Sequence, residues 1–219
     1  MALTESSQRF PQMSWKPPCR HFTVQKHAAS RLHYDFRLQY AGIFKSWAIP
    51  DGPCLDWTER RLAILVDDHS LGAGLFEGTI PPGVYGAGTV MRWDFGECLV
   101  DGDMKRGLGE GLLKFELRGT KLKGGWCLKR ISRRNAPQEQ WWLIKDNDSE
   151  AKPLSEQDIL ISHPLSLEGR TMDEIATDPP PFVPRKKKPR RVQPSLFPLP
   201  PASWGRPTTQ LAHAARPGQ

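Results

Sequence analysis

From residue 19 to about 150, apolar and polar positions alternate in short runs, and turn residues break the runs every eight to twelve positions. In HFTVQKH, Phe22 and Val24 fall on one side. In RLHYDFRL, Leu32, Tyr34, Phe36 and Leu38 do the same. IFKSWAI, RLAILVDDH, GTVMRW, LLKFELRG and GWCLKRI follow, and QWWLIKD closes the series. A repeat of two is the repeat of a strand, whose side chains point to opposite faces in turn. Successive short strands joined by turns such as QYAG and IPPG, with no long amphipathic helix between them, predict a mainly β fold. The expected form is an antiparallel barrel or sandwich with few short helices, not a parallel α/β sheet.

The pattern is weak before residue 19 and decays after Asp148. Residues 1–18 read as a flexible polar lead, 19–150 as the β domain and 151–177 as a short helical extension in which TMDEIA forms a helix capped by Thr171. Residues 178–219 hold 11 of the 21 prolines and have the composition of a disordered Pro/Lys/Arg-rich tail. The 38% hydrophobic content, with eight Trp and nine Phe among 219 residues, suffices for one ordinary core.

Charge refines this picture. Net charge is +7, but Arg185, Lys186, Lys187, Lys188, Arg190, Arg191, Arg206 and Arg216 all stand in residues 185–219, which carry no acidic residue, and removing these eight leaves −1 for residues 1–184. The body therefore has no global positive field, and any affinity for nucleic acid must come from a local patch or from RKKKPRR acting as a tether. No run approaches a membrane span, and MALTESSQRFPQMSW lacks the apolar stretch of a signal peptide, so a cytoplasmic protein is expected. Cys19, Cys54, Cys98 and Cys127 contain no C-x-x-C pair and read as reduced packing residues.

Candidate chemistry lies in QKHAASRLHYDFRLQY. Alternation puts Arg31, His33, Asp35 and Arg37 on one strand face, opposite four large apolar residues. His33 and Asp35 would have Cα atoms about 6.5–7 Å apart, a spacing that lets two side chains converge on one ion. His27, across the AAS link, offers a third ligand. The same reading puts Arg61, Ala63, Leu65, Asp67 and His69 of RLAILVDDH on one face. Two or three imidazoles with a carboxylate suit manganese, zinc, iron or cobalt, and nearby guanidinium groups match phosphate oxygens. Phosphoester chemistry fits this set, and so does a two-His-one-carboxylate iron oxygenase. GVYGAG reads as a tight turn between strands, and Trp141 and Trp142 as core residues. His21, His163 and His213 are expected to have no part in the chemistry.

FTVQKHAASRLHYDFRL, KSWAIPDGP, RLAILVDDH, FEGTIPPGVYGAGTVMRWDFG, LLKFELRGTKLKGGWCLKR and WWLIKDND together resemble the 3′-phosphoesterase domain of bacterial DNA ligase D, over about residues 20–150. SLEGRTMDEIA is similar to the segment that follows that domain. The resemblance implies a compact β-barrel, here expected as a stand-alone monomer, with a Mn2+ site that other divalent transition metals could also fill. The implied activity trims DNA or RNA-tipped 3′ ends by removing a terminal ribonucleoside and then the remaining 3′-phosphate. By resemblance, His27, His33 and Asp35 are the metal ligands, Arg37 and Arg61 engage the phosphate, and His69 acts beside the scissile phosphate with Asp67 nearby. His69 either stabilises the pentavalent state or protonates the leaving oxygen. Implied partners are a separate ATP-dependent DNA ligase or polymerase and a Ku-type end-binding protein, at the nucleoid.

Several positions depart from the family pattern. Asp51 stands where a lysine is usual, Ala73 where a tyrosine is usual and Asp67 where a glutamate is common, and residues 1–18 show no clear match to the family's N-terminal assisting residues. An anion beside a substrate phosphate opposes its binding. A second reading is therefore a catalytically weakened module that keeps the metal site and binds DNA ends or a ligase partner.

Overall fold

The computed structural model describes residues 21–132 and 137–178. The expected lead at 1–18 lies outside them, as do RKKKPRR and the rest of the tail beyond Asp178. Nine strands form: β1 (His21–Ala28), β2 (Leu32–Tyr40), β3 (Ile43–Ile49), β4 (Arg61–Ser70), β5 (Gly78–Ile80), β6 (Gly88–Val100), β7 (Leu112–Gly119), β8 (Lys123–Arg130) and β9 (Gln140–Lys145). Four short helices accompany them: α1 (Leu71–Gly74), α2 (Met104–Glu110), α3 (Ile159–Ser162) and α4 (Met172–Thr177).

The sheet runs β1-β2-β3-β4-β9-β8-β7-β6-β5, and β1 also pairs with β6. That last pairing closes eight strands into an antiparallel barrel, with β5 added outside it along β6. Closure removes the exposed edges that would otherwise invite pairing with other chains. The 13-residue β6 is long enough to pair with β1 along residues 89–97 while meeting β5 near its start and β7 near its end. Among the described residues, no helix is long and apolar enough to cross a membrane.

The apolar half of each alternation fills the barrel. Phe22, Val24, Phe36, Leu38, Trp47, Ala63, Trp93, Trp126 and Trp141 are buried there. Trp47 meets Trp141 edge-on at 6.0 Å between centroids, and Phe36 stacks on Phe115 at 5.8 Å. Such offset and edge-on geometries suit the quadrupoles of aromatic rings. Trp141 is thus a core residue, while Trp142 is half-buried.

The segment after β9 straps the barrel. Ile159 and Ile175 join the core, and the Trp93 indole donates to the His163 carbonyl at 2.7 Å. Thr171 caps α4 through a reciprocal box with Glu174. Arg170 pairs with Glu77, and the Leu154 amide donates to Asp56 at 2.9 Å. Leu160 lies so close to Gly52 that a Cβ there would meet it at 2.6 Å. The loop carrying Asp51 is therefore held from behind by this strap.

Candidate active site

The other half of the alternation is also buried, which the sequence does not announce. On β1 the residues Thr23, Gln25 and His27, and on β2 His33, Asp35 and Arg37, face away from the barrel interior, yet all six are buried. The cover is the segment from α1 to Phe76. Thr23 Oγ1 donates to Gly74 O at 3.1 Å, and Gln25 Nε2 donates to Ala73 O and Phe76 O at 3.0 and 2.8 Å. Gly74 packs on the Phe44 ring so tightly that a Cβ would approach it to 2.3 Å. A layer of polar side chains is thereby enclosed between barrel wall and cover.

Register brings the cluster together. β1 and β2 pair so that His27 opposes His33 and Gln25 opposes Asp35. The two imidazole centroids lie 4.8 Å apart. His27 Nδ1 is 3.7 Å from Asp35 Oδ2, and His33 Nε2 is 3.7 Å from Asp35 Oδ1. One donor atom from each of the three falls within 4.8 Å of the others.

His33 Nδ1 sits 2.9 Å from the Arg31 carbonyl. A carbonyl can only accept, which places the proton on Nδ1 and leaves the Nε2 lone pair aimed toward Asp35. His27 Nε2 is buried with no hydrogen-bond partner. Burial lowers the His33 pKa, and neighbouring Asp35 offsets only part of that. For Asp35 itself burial acts upward, but Arg37 first and the two imidazoles after it outweigh burial and hold the carboxyl well below the usual carboxylate range. The His33 Nε2 lone pair, a carboxylate fixed by Arg37 and the unpartnered His27 Nε2 make a donor set that fits a divalent cation.

Arg37 is locked from three sides. Its Nε donates to Gln25 Oε1 at 2.9 Å, one terminal nitrogen to Ser46 Oγ at 3.0 Å and the other to Asp35 Oδ2 at 2.9 Å. These use three of the five N–H groups of a guanidinium and leave one on each terminal nitrogen, a fork of the kind that takes two oxygens of a phosphate.

β4 departs from the one-face reading of RLAILVDDH. Ser46 pairs with Val66 but Phe44 with His69, so the register slips by one residue across Asp67 and Asp68. A bulge of this kind reverses the alternation. Ala63 consequently points into the barrel, whereas His69 falls on the face of Phe44 and Ser46, beside the Asp35–Arg37 pair. Burial, then the Arg37 cation, lowers the His69 pKa. Its Nδ1 is buried without a hydrogen-bond partner. Asp67 is exposed, with its charge felt at His69.

Arg61 is not drawn into the cluster. It begins β4 on the parity of Ala63, near the level of His33 but two strands from β2, about 10 Å at ordinary strand spacing. Its electrostatic neighbours are Cys54, Glu59 and Asp51. Ala73 is half-buried and gives the cover only its backbone, its carbonyl accepting from Gln25 and its amide donating to Ser70 Oγ at 3.3 Å.

Gln25 and Ser46 are the site residues that sequence reasoning passed over. Gln25 was within reach, since it stands two positions before His27 on the same strand face. Ser46 becomes visible only once β3 is registered against β2. Gln25 links Arg37 to the 71–76 cover, so Gln25→Ala orphans two carbonyls and one guanidinium donor. The expected cost is about 2 kcal/mol, read as a lower urea midpoint. Gln25→Glu keeps the acceptor for Arg37 while losing both amide donors, and is expected to restore part of that loss. Equal midpoints for wild type and Gln25→Ala would contradict this assignment.

Residues 25–130 match the family model described as DNA Ligase D 3′-phosphoesterase domain. The chain is 51% identical over 152 residues to the multifunctional non-homologous end joining protein LigD of Pseudomonas aeruginosa, covering 69% of this chain and 18% of that protein. It is 48% identical over 75 residues to the LigD of Mycobacterium tuberculosis and 44% over 75 residues to that of Mycolicibacterium smegmatis, in each case covering 34% of this chain and 10% of the relative. The chain thus spans less than a fifth of the length of these relatives. With His27, His33, Asp35, Arg37, Arg61, Asp67 and His69 all inside the matched span, the chain belongs through its barrel to the DNA ligase D 3′-phosphoesterase domain family.

Proposed function

We propose that this domain is a metal-dependent 3′-phosphoesterase that trims DNA or RNA-tipped 3′ ends during end-joining repair, removing a terminal ribonucleoside and then the 3′-phosphate left behind. The observation that carries the reading is the buried His27–His33–Asp35 cluster with Arg37 fixed at 2.9 Å from its carboxylate. His27, His33 and Asp35 would hold Mn2+, and other divalent transition metals suit the same donors. Bound there, the ion supplies Lewis acidity toward a nonbridging phosphate oxygen.

The chain's own groups do the rest. Arg37 presents its two remaining N–H groups to the phosphate and neutralises charge that grows as water adds to phosphorus and a P–O bond breaks, P–O5′ when the terminal ribonucleoside leaves and P–O3′ when the phosphate is released. His69, on the same face, donates to a phosphate oxygen or protonates the leaving oxygen, O5′ of the departing nucleoside in the first step and O3′ of the primer in the second. Arg61, about 10 Å from the cluster, would engage the nucleotide flanking the phosphate and not the phosphate that Arg37 holds. Partners in this reading are the DNA end, an ATP-dependent ligase or polymerase, and a Ku-type end-binding protein.

A labelled primer–template ending in one ribonucleotide or in a 3′-phosphate tests the reading, assayed with and without Mn2+. Shortening and phosphate release that require the metal are expected. Intact ends under every divalent metal would instead favour a module that binds ends without cutting them.

That second reading draws on Asp51, whose carboxylate is an electrostatic neighbour of Arg61. An anion there spends part of the Arg61 charge before any phosphate arrives. The opposing effect is about 1 kcal/mol or more at an effective dielectric near 20. Asp51→Lys is therefore expected to raise kcat/KM on 3′-phosphate ends about five- to tenfold, with Asp51→Asn in between. Steady-state rates unchanged in both variants would remove Asp51 as the cause of weakened activity.

A further inference from the structure

The loop between β5 and β6 is closely fixed, yet it holds out a large ring. The Val84 amide donates to Pro81 O at 3.4 Å and the Ala87 amide to Val84 O at 3.0 Å. Gly83 and Gly86 adopt left-handed φ of +82° and +78°. At Gly88 a Cβ would lie 2.3 Å from the Ala28 carbonyl oxygen, so the end of the loop is pressed onto the turn joining β1 and β2. The register continues from there, with Ala28 opposite Thr89 and His27 opposite Val90. The loop accordingly rises from the barrel at the His27 edge of the site.

At its tip stands Tyr85, 63% exposed and the most exposed aromatic side chain among the described residues. The ring projects from a loop whose end pairs beside His27, and its phenol lies within electrostatic reach of Asp67, Asp35 and Arg37. Nothing in the chemistry proposed above uses this ring. An aromatic face held in water beside a phosphate-directed cluster has the features of a stacking platform, because every nucleobase presents a π-face of its own.

We infer that Tyr85 stacks on the terminal nucleoside of the strand whose 3′-phosphate enters the His27–His33–Asp35 site, making the Pro81–Ala87 loop a determinant of selectivity for polynucleotide ends. The inference rests on the proposed function for the identity of the strand. Contact runs through the ring, so the phenolic oxygen is dispensable.

The test is a cycle between the ring and the base. Wild type, Tyr85→Ala and Tyr85→Phe are compared on two 3′-phosphate duplexes, one with a normal terminal nucleoside and one whose terminal residue is abasic. KM and kcat are read in Mn2+, and Kd is read by fluorescence anisotropy in Mg2+. Tyr85→Ala is expected to raise KM and Kd on the normal end about tenfold and to leave both within about twofold on the abasic end. Tyr85→Phe should behave as wild type, and kcat should hold throughout. An equal loss on both ends, or a Phe variant as weak as Ala, overturns the stacking role. Coupling in Kd without any trimming overturns the proposed enzyme and keeps the platform, whereas trimming without coupling does the reverse. A wild type that neither trims nor binds removes both.

Discussion

His33→Ala is expected to lower Mn2+-dependent release of phosphate from a 3′-phosphorylated primer by about a thousandfold or more, while the protein remains folded. His33 faces His27 across the β1–β2 pair, and its Nδ1 is committed to the Arg31 carbonyl. The ring therefore holds one tautomer and offers Nε2 beside Asp35. Truncation removes one of two nitrogen donors and leaves an ion with Asp35 and His27 alone. If ion polarisation contributes several kcal/mol to the transition state, its loss is worth about three decades in rate. Stability should change little, because Asp35 keeps Arg37 at 2.9 Å as its main counter-charge. Isothermal titration with Mn2+ should show weakened binding in parallel with the lost activity. His21→Ala serves as the control, since His21 stacks on Phe95 and hydrogen-bonds Gln39 at the far end of β1. It is expected to trim like wild type. Unimpaired trimming by His33→Ala would sink the metal-ligand assignment.

Much of this arrangement was legible in the residues, and what was hidden was hidden for definite physical reasons. Alternation located eight barrel strands because each has one face in the core, so the period of two survives even in the polar-rich β1 and β2. β5 is three residues long and carries no period to detect. Spacing alone put His33 and Asp35 on one face, but only the β1–β2 register sets His27 against His33. RLAILVDDH misled for the opposite reason. Its alternation is unbroken on paper, and the slip opposite Phe44 and Ser46 depends on how β3 pairs with it. The burial of Thr23 and Gln25 likewise comes from a cover that folds back from residues 71–76, a long-range contact with no local signature.

Arg37 yields the largest expected change in stability, and the effect should depend on the metal. Asp35 and Arg37 are 7% and 5% exposed, so their pairing takes place almost out of water. Removing one partner of such a pair leaves the other charge buried and uncompensated, at a cost of about 3–5 kcal/mol. In EDTA, Arg37→Ala is therefore expected to unfold at a much lower urea concentration than wild type. Mn2+ at the same carboxylate replaces the missing positive charge. A ligand that binds only the native state stabilises it by an amount that grows with the logarithm of its concentration relative to Kd. Adding Mn2+ should consequently recover more of the midpoint in Arg37→Ala than it adds to wild type. Activity should not recover with it, because the ion restores the charge balance of Asp35 but not the fork that meets the phosphate. A residual deficit of about a hundredfold or more in kcat is expected in the metal-loaded variant. Arg37→Lys separates the two roles, since it keeps a cation near Asp35 but cannot bridge Gln25, Ser46 and Asp35 together. It should retain more stability than activity. A midpoint for Arg37→Ala equal to wild type in EDTA would mean that Asp35 does not depend on Arg37 for its charge, and the site would then need another source of balance.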